Sequence, residues 1–353
     1  MLGRGTLVGR LPAFSQAESG GARIGVAIGG GAALPQRYVD ASRSSRELTG
    51  FTVKILVLGA TGMLGHRLLV DLARQHDVSG AVRAQTHQWS DHPVLRGRKL
   101  VSGWDAMNPD SVLPVLDREQ PDAVINCVGI VKQLKEANDP IPSIAINALW
   151  PHRLAAACRE RQIRLVHFST DCVFSGDRGP YTEEDIADAR DLYGRTKFLG
   201  EISETGCLTV RSSIIGHGLR GGSGLLEWFL GCRGGHATGF AGAYYTGLTT
   251  NQMAAVIGRI LEAFPDLDGL WQVASQPIDK FSLLAKINVA YGLGIALDRD
   301  ESFHCDRRLD GGRFAAATGI IPIDWDEMIA AMRDAHLADA WSSLPRQRLG
   351  ATG

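Results

Sequence analysis

Seven residues, Gly59-Ala-Thr-Gly-Met-Leu-Gly65, constrain the fold of this chain more than any other stretch. They follow residues 53–58, a short apolar run that reads as a buried strand. Beyond them Leu64, Leu68, Leu69 and Leu72 recur at helical spacing. Strand, glycine turn and helix in that order is the arrangement a dinucleotide pyrophosphate needs. Gly59 permits the tight turn, Gly62 lets the backbone approach phosphate, and Gly65 lets helix and strand pack closely. The first amides of the helix then meet the phosphates, so the expected contacts are Gly59, Thr61, Gly62, Met63 and Leu64. An earlier run, Gly25-Val-Ala-Ile-Gly-Gly-Gly31, fails the same test: Pro35 follows it and no amphipathic helix does.

Further strands are expected at residues 78–82, 123–128, 163–168 and 208–211. Helices are expected at about 144–161, kinked or restarted at Pro151, at 192–204 and at 251–264. Strands alternating with helices imply right-handed crossovers, so the expected fold class is α/β, a Rossmann-type doubly wound parallel sheet. From about Gly216 the pattern loosens into glycine-rich loops, including Gly221-Gly222 and Gly234-Gly235. Residues 1–52 read as a disordered extension or an overlong start. Residues 53–215 read as an NADP-binding domain, 216–340 as a smaller mixed α/β substrate lobe, and 341–353 as a tail.

A net charge of −1 gives no surface built for nucleic acid or anionic lipid. No apolar stretch approaches the length that spans a bilayer. The six cysteines form no C-x-x-C pair and read as buried free thiols, in a reducing, cytoplasmic setting. No His, Cys or carboxylate grouping has metal-ligand spacing, so no metal is expected.

The chemistry is read from Tyr193-Gly-Arg-Thr-Lys197, whose ends share one helix face. A phenol at its ordinary pKa of ~10 is a poor acid or base near neutrality. A cation held close favours the phenolate, and Lys197 is expected to supply it and so lower the Tyr193 pKa. Ser169-Thr170, ending the preceding strand, offers a hydroxyl to a substrate carbonyl oxygen. Thr170, Tyr193 and Lys197 are therefore the expected catalytic set. The second strand ends at Val82-Arg83, where an arginine accommodates a ribose 2′-phosphate. The expected cofactor is NADP(H), with NAD(H) as the alternative. Asp105 reads either as an adenine contact or as a solvated carboxylate, and Lys132 either as a contact for a substrate diphosphate or as a solvated loop lysine. His217 reads as a loop histidine bonded to backbone rather than a catalytic group, and Trp228 and Phe229 as an apolar helix face rather than a base-stacking pair.

The glycine turn, Ser169-Thr-Asp-Cys-Val-Phe-Ser-Gly176, Pro180-Tyr-Thr-Glu-Glu-Asp185 and Tyr193-Gly-Arg-Thr-Lys-Phe-Leu-Gly-Glu201 together resemble the dTDP-4-dehydrorhamnose reductase family. Its members are extended short-chain dehydrogenases acting on sugar nucleotides. Leu309-Asp-Gly-Gly-Arg-Phe314 and Ile321-Pro-Ile-Asp-Trp325 are similar to its C-terminal pattern. The resemblance covers about residues 53–332. It implies that Thr170, Tyr193 and Lys197 are catalytic, the last two also touching the cofactor. It places Asn126, Cys127, Val128 and Gly129 beside the nicotinamide, and Asn147 as a helical asparagine that shapes the cofactor site. Arg211 is placed near the substrate or the sheet edge, and Asp171, adjoining Thr170, as a substrate contact.

The implied activity is NADPH-dependent reduction of the C4 keto group of a nucleotide-linked 4-keto-6-deoxysugar, in cell-surface polysaccharide synthesis. The implied protein binds no nucleic acid or membrane and is compatible with a homodimer. Two other readings stay open: an NAD-dependent sugar-nucleotide epimerase, and a non-catalytic dinucleotide-binding regulatory subunit. A 4,6-dehydratase is disfavoured, because Cys172 stands where its acid–base pair would need a glutamate. Cys172 in place of an aromatic residue, and residues 130–135, 225–229 and 246–250, depart from the family pattern and leave the exact substrate open.

Overall fold

The computed structural model describes residues 52–83, 85–132, 135–219 and 224–341. The N-terminal extension as far as residue 51, with its glycine run, lies outside the described residues, as do Gly221-Gly222 and the tail from residue 342. In chain order the strands begin with β1 Lys54–Leu58, β2 Asp77–Ala81, β3 Lys99–Val101, β4 Ala123–Asn126, β5 Arg164–Ser169 and β6 Cys207–Arg211. They continue with β7 Ile214–Ile215, β8 His236–Tyr245, β9 Leu248–Thr249, β10 Gly269–Gln272, β11 Ile278–Asp279 and β12 Ala296–Asp306.

Seven of these form one parallel sheet in the order β10-β6-β5-β4-β1-β2-β3. Along β1, Ile55 and Val57 join one apolar cluster while Leu56 and Leu58 join another. A strand buried on both faces reads as a continuous apolar run, and this one does. Helices Met63–Leu72 and Thr250–Ala263 cover one face, and Leu113–Glu119 and Trp150–Glu160 the other. The strand order reverses between β1 and β4, so a crevice opens at their carboxyl ends, where ligands of such sheets bind.

The expected boundary at residue 215 does not divide the sheet. β10 returns from the C-terminal half to pair with β6, which would otherwise present an open edge. Helix Thr250–Ala263 returns as well, lying against Met63–Leu72. What stands apart is a three-stranded sheet, β11-β8-β12, backed by helix Lys280–Tyr291. The helix expected at 144–161 is built in three pieces: Pro140–Ser143, a π-helical turn Ile144–Leu149, and Trp150–Glu160. In a regular helix the Pro151 ring would press on the carbonyl of Asn147. The wider turn accommodates it without breaking the rod. The helix expected at 192–204 stops at Leu199. No described helix is long and apolar enough to cross a membrane.

Candidate active site

At the end of β1, Gly59 has φ +78°, a conformation that favours glycine. The Gly62 amide donates to the Gly59 carbonyl at 2.9 Å and closes the turn. A β-carbon at Gly65 would collide with that same carbonyl, so only glycine lets the helix sit this close. Helix Met63–Leu72 starts at Gly62 with no side-chain cap and no acidic residue in its first turn. Its positive end is thus left for an anion. The turn fits a dinucleotide phosphate on this ground. Arg83 is exposed just past β2. Asp105 Oδ1 accepts from the Met107 amide at 3.0 Å.

The residues after β4 are fixed from both sides. The Cys127 amide donates to the Leu58 carbonyl at 3.0 Å, and the Asn126 Oδ1 accepts from the Val128 amide at 3.2 Å. Asn147 Oδ1 accepts from the Ile130 amide at 2.9 Å, while its Nδ2 donates to the Ile130 carbonyl at 3.0 Å and to the Thr196 hydroxyl at 3.4 Å. Asn147 therefore ties the Cys127–Val128–Gly129 stretch to the helix that carries Tyr193. A β-carbon at Gly59 would touch Cys127 and Val128, so the two loops adjoin.

Thr170 follows β5 in extended conformation. Its Oγ1 accepts from the Cys172 amide and donates to Asp171 Oδ1, each at 3.1 Å, and it lies near enough to the Tyr193 phenol to favour the phenolate. Helix Leu192–Leu199 is capped by Asp191, which accepts from the Gly194 amide at 2.8 Å. A β-carbon at Gly194 would collide with the Cys172 carbonyl. The glycine inside Tyr-Gly-Arg-Thr-Lys thus seats the tyrosine against the threonine. Lys197 is buried, and its Nζ donates to the Phe168 carbonyl at 2.6 Å. Burial pulls its pKa down to about 8.

One expectation is overturned here. Tyr193 is not lowered by Lys197. Burial, followed by the adjacent Cys172 thiol, pushes the phenol well above its ordinary value. The ammonium is turned onto the Phe168 carbonyl, and desolvation outweighs what it offers the phenol.

The substrate residues expected from the sequence are drawn into protein contacts. Arg211, 2% exposed, pairs with Glu201, which also accepts from the Ser169 hydroxyl at 2.6 Å. Its guanidinium is enclosed at the end of β6 and does not stand open to a ligand. Lys132 Nζ donates to Asp191 Oδ2 at 2.7 Å, and Asp171 is buried beside Thr170. His217 bonds side chains, not backbone: Nδ1 meets Glu227 at 3.2 Å and Nε2 meets the Tyr291 hydroxyl at 2.9 Å. Phe229 is fully buried, as an apolar face requires. Two cavities, of about 190 and 220 Å³, are lined by other residues: one by His66, Arg67 and His217, the other by Ala274, Phe314 and Ile321.

Three groups that no motif marked come from the smaller sheet: Tyr245 ending β8, Lys280 following β11, and Arg307 following β12. The Arg307 Nε donates to the Phe174 carbonyl at 2.9 Å, and its Nη1 lies 3.8 Å from the Cys172 sulfur.

The parallel order, the glycine turn and the Thr170–Tyr193–Lys197 grouping at adjacent strand ends define a Rossmann-type protein with the residue set of a short-chain dehydrogenase. Residues 53–214 match the model of the RmlD substrate binding domain. Through these residues the chain is similar to the dTDP-4-dehydrorhamnose reductase-like family. It is 33% identical over 151 residues to a dTDP-4-keto-6-deoxy-D-glucose reductase of Streptomyces niveus, covering 42% of this chain and 46% of that one. It is 29% identical over 163 residues to the dTDP-4-dehydrorhamnose reductase of Mycobacterium tuberculosis, 44% of this chain and 46% of that one. The chain thus spans about half the length of these curated relatives. Among solved structures, a hypothetical dTDP-4-dehydrorhamnose reductase from Sulfolobus tokodaii superposes with a TM-score of 0.65 at 24% identity, over 77% of this chain and 98% of that one. A dTDP-4-dehydrorhamnose reductase from Bacillus anthracis, in complex with NADP, gives 0.66 at 18%, over 80% and 99%. At such identities these structures speak for the fold alone.

Proposed function

We propose that the protein is an NADPH-dependent oxidoreductase that reduces the C4 keto group of a nucleotide-linked 4-keto-6-deoxysugar. The observation that carries this reading is the seating of the Tyr193 helix against the strand end that bears Thr170, where Gly194 meets the Cys172 carbonyl, at the carboxyl edge of the sheet that also carries the glycine turn. NADPH, when bound, supplies the hydride. Gly59, Thr61, Gly62, Met63 and Leu64 would hold its phosphates, Arg83 its 2′-phosphate, and Cys127, Val128 and Gly129 would line its nicotinamide end. Asn147 keeps that last stretch in register.

Tyr193 acts as the acid. The phenol carries its proton near neutrality, and the strong basicity of a carbonyl oxygen that gains negative charge, not a lowered phenol pKa, drives the transfer. Thr170 donates a second hydrogen bond to the same oxygen, exchanging Asp171 for it. As charge develops, the half-buried setting that raised the phenol also strengthens its attraction to the Lys197 ammonium. The protein works in solution on a sugar nucleotide and is sited in the cytoplasm under this proposal. The test is NADPH consumption against a panel of nucleotide-linked keto-sugars, repeated with NADH. Oxidation of NADPH with at least one 4-keto-6-deoxysugar nucleotide is expected. The proposal fails if the purified protein binds NADPH yet turns over none of them.

A further inference from the structure

Lys280 stands at the start of helix Lys280–Tyr291, just after β11. Its Nζ lies 3.6 Å from the centre of the Tyr245 ring. Ile278 pairs with Tyr245 in the β11–β8 ladder, which sets the two side chains against each other. No described carboxylate lies within ion-pair distance of Lys280, and the ammonium has no hydrogen-bond partner among the described residues. A half-buried ammonium held only by a ring face is incompletely satisfied, because its three N–H groups need acceptors. Burial accordingly pulls its pKa below the ordinary lysine value.

The surroundings say where an acceptor would enter. Asp171 and Cys172 are within electrostatic reach both of Lys280 and of Tyr193. Arg307 is among the charges that act on Lys280, and its guanidinium reaches the Cys172 sulfur. The Tyr245 hydroxyl is buried and has no hydrogen-bond partner among the described residues. A lysine, an arginine and an orphaned phenol, all carried by the smaller sheet, thus face the strand end that bears Thr170. Lys132, one reading of which was a substrate diphosphate contact, and Arg211, placed near the substrate or the sheet edge, are each occupied by a protein carboxylate.

We propose that Lys280 is the substrate's anion anchor, binding a phosphate oxygen of the nucleotide diphosphate across the seam from Tyr193. Arg307 adds positive charge beside it and Tyr245 presents the ring against which the ammonium is held. The inference rests on the proposed function for the identity of the substrate. Its test is therefore a binding measurement that needs no turnover.

Titration calorimetry of NADP⁺-loaded protein with thymidine diphosphate, and separately with inorganic pyrophosphate, reads the anchor directly. A hydrogen bond to a charged group carries enough energy that Lys280→Met should weaken both affinities by about 10- to 100-fold. Lys280→Arg should retain most of the affinity, and the NADP⁺ affinity of both variants should match wild type, which also reports folding. If Lys280→Met fails to fold, Lys280→Gln takes its place. In turnover, KM for the sugar nucleotide should rise with kcat changed much less. Wild-type protein that binds neither diphosphate, or a Lys280→Met protein that binds both like wild type, overturns the assignment. So does a variant that loses affinity only for sugar nucleotides carrying a sugar carboxylate, which would give the anchor to that group. Failure of the reductase reading looks different: diphosphate binding depends on Lys280, yet wild type oxidises NADPH with no keto-sugar.

Discussion

Glu201 receives Arg211 through two parallel hydrogen bonds, Nε to Oε1 and Nη2 to Oε2, each 2.7 Å long. The side chains are 2% and 8% exposed. Both sit beneath the strand ends that carry Thr170, and the Ser169 hydroxyl completes the group. Removing the carboxylate would strand a guanidinium that cannot shed its proton. Glu201→Ala should therefore cost about 3–5 kcal/mol in denaturant unfolding. Replacing both partners by apolar residues, Glu201→Leu with Arg211→Met, should recover most of that loss. A single variant within about 1 kcal/mol of wild type would show the pair to be dispensable.

Arg83 is exposed beyond β2 and is the proposed partner of a 2′-phosphate. Arg83→Ala should weaken NADPH binding by roughly 10- to 100-fold, the worth of one charge-assisted contact, and leave NADH binding nearly unchanged. Equal losses for the two cofactors, read by fluorescence titration, would remove Arg83 from the phosphate site.

Tyr193→Phe keeps the ring and removes the proton. Turnover should fall by about 10²- to 10⁴-fold, the usual worth of a positioned general acid, while NADPH affinity stays close to wild type. Thr170→Val should act on the same step, with a smaller loss in kcat. Wild-type turnover by the Tyr193 variant would exclude the proposed acid.

The parts of the site that lie close together in sequence were legible without coordinates. Gly59 to Gly65 declare their turn because strand, turn and helix are contiguous, and Tyr193 with Lys197 declare a shared face through their spacing. The pattern could not reveal that the Lys197 ammonium faces Phe168, since a spacing of four says nothing of burial. Nor could it reveal β10, a four-residue strand from the far half that closes the β6 edge. Lys280 was silent for the same reason: Tyr245 and Asp171 reach it only through tertiary folding. The family resemblance placed Arg211 near the substrate or the sheet edge, and Lys132 read equally as a diphosphate contact or a solvated lysine; only packing disclosed their carboxylate partners.

Lys197 also makes a prediction about stability and pH. Its pKa is near 8 in the folded chain and about 10.4 when unfolded, so the folded state disfavours the ammonium. Below pH 8 both states hold the proton, and the desolvation penalty is fully present. Between about pH 8 and 10.4 the unfolded chain binds more protons than the folded one, so stability contributed by this residue rises with pH. Above that window both forms are neutral and the penalty is gone. Measured against Lys197→Met, whose apolar side chain lacks this titration, wild type should gain on the order of 3 kcal/mol in unfolding free energy across the window. NADPH binding should diminish the gain, because an acceptor from the ligand would favour the ammonium. A wild-type curve that runs parallel to that of Lys197→Met from pH 7.5 to 10.5 would mean that the ammonium is not desolvated at the Phe168 carbonyl.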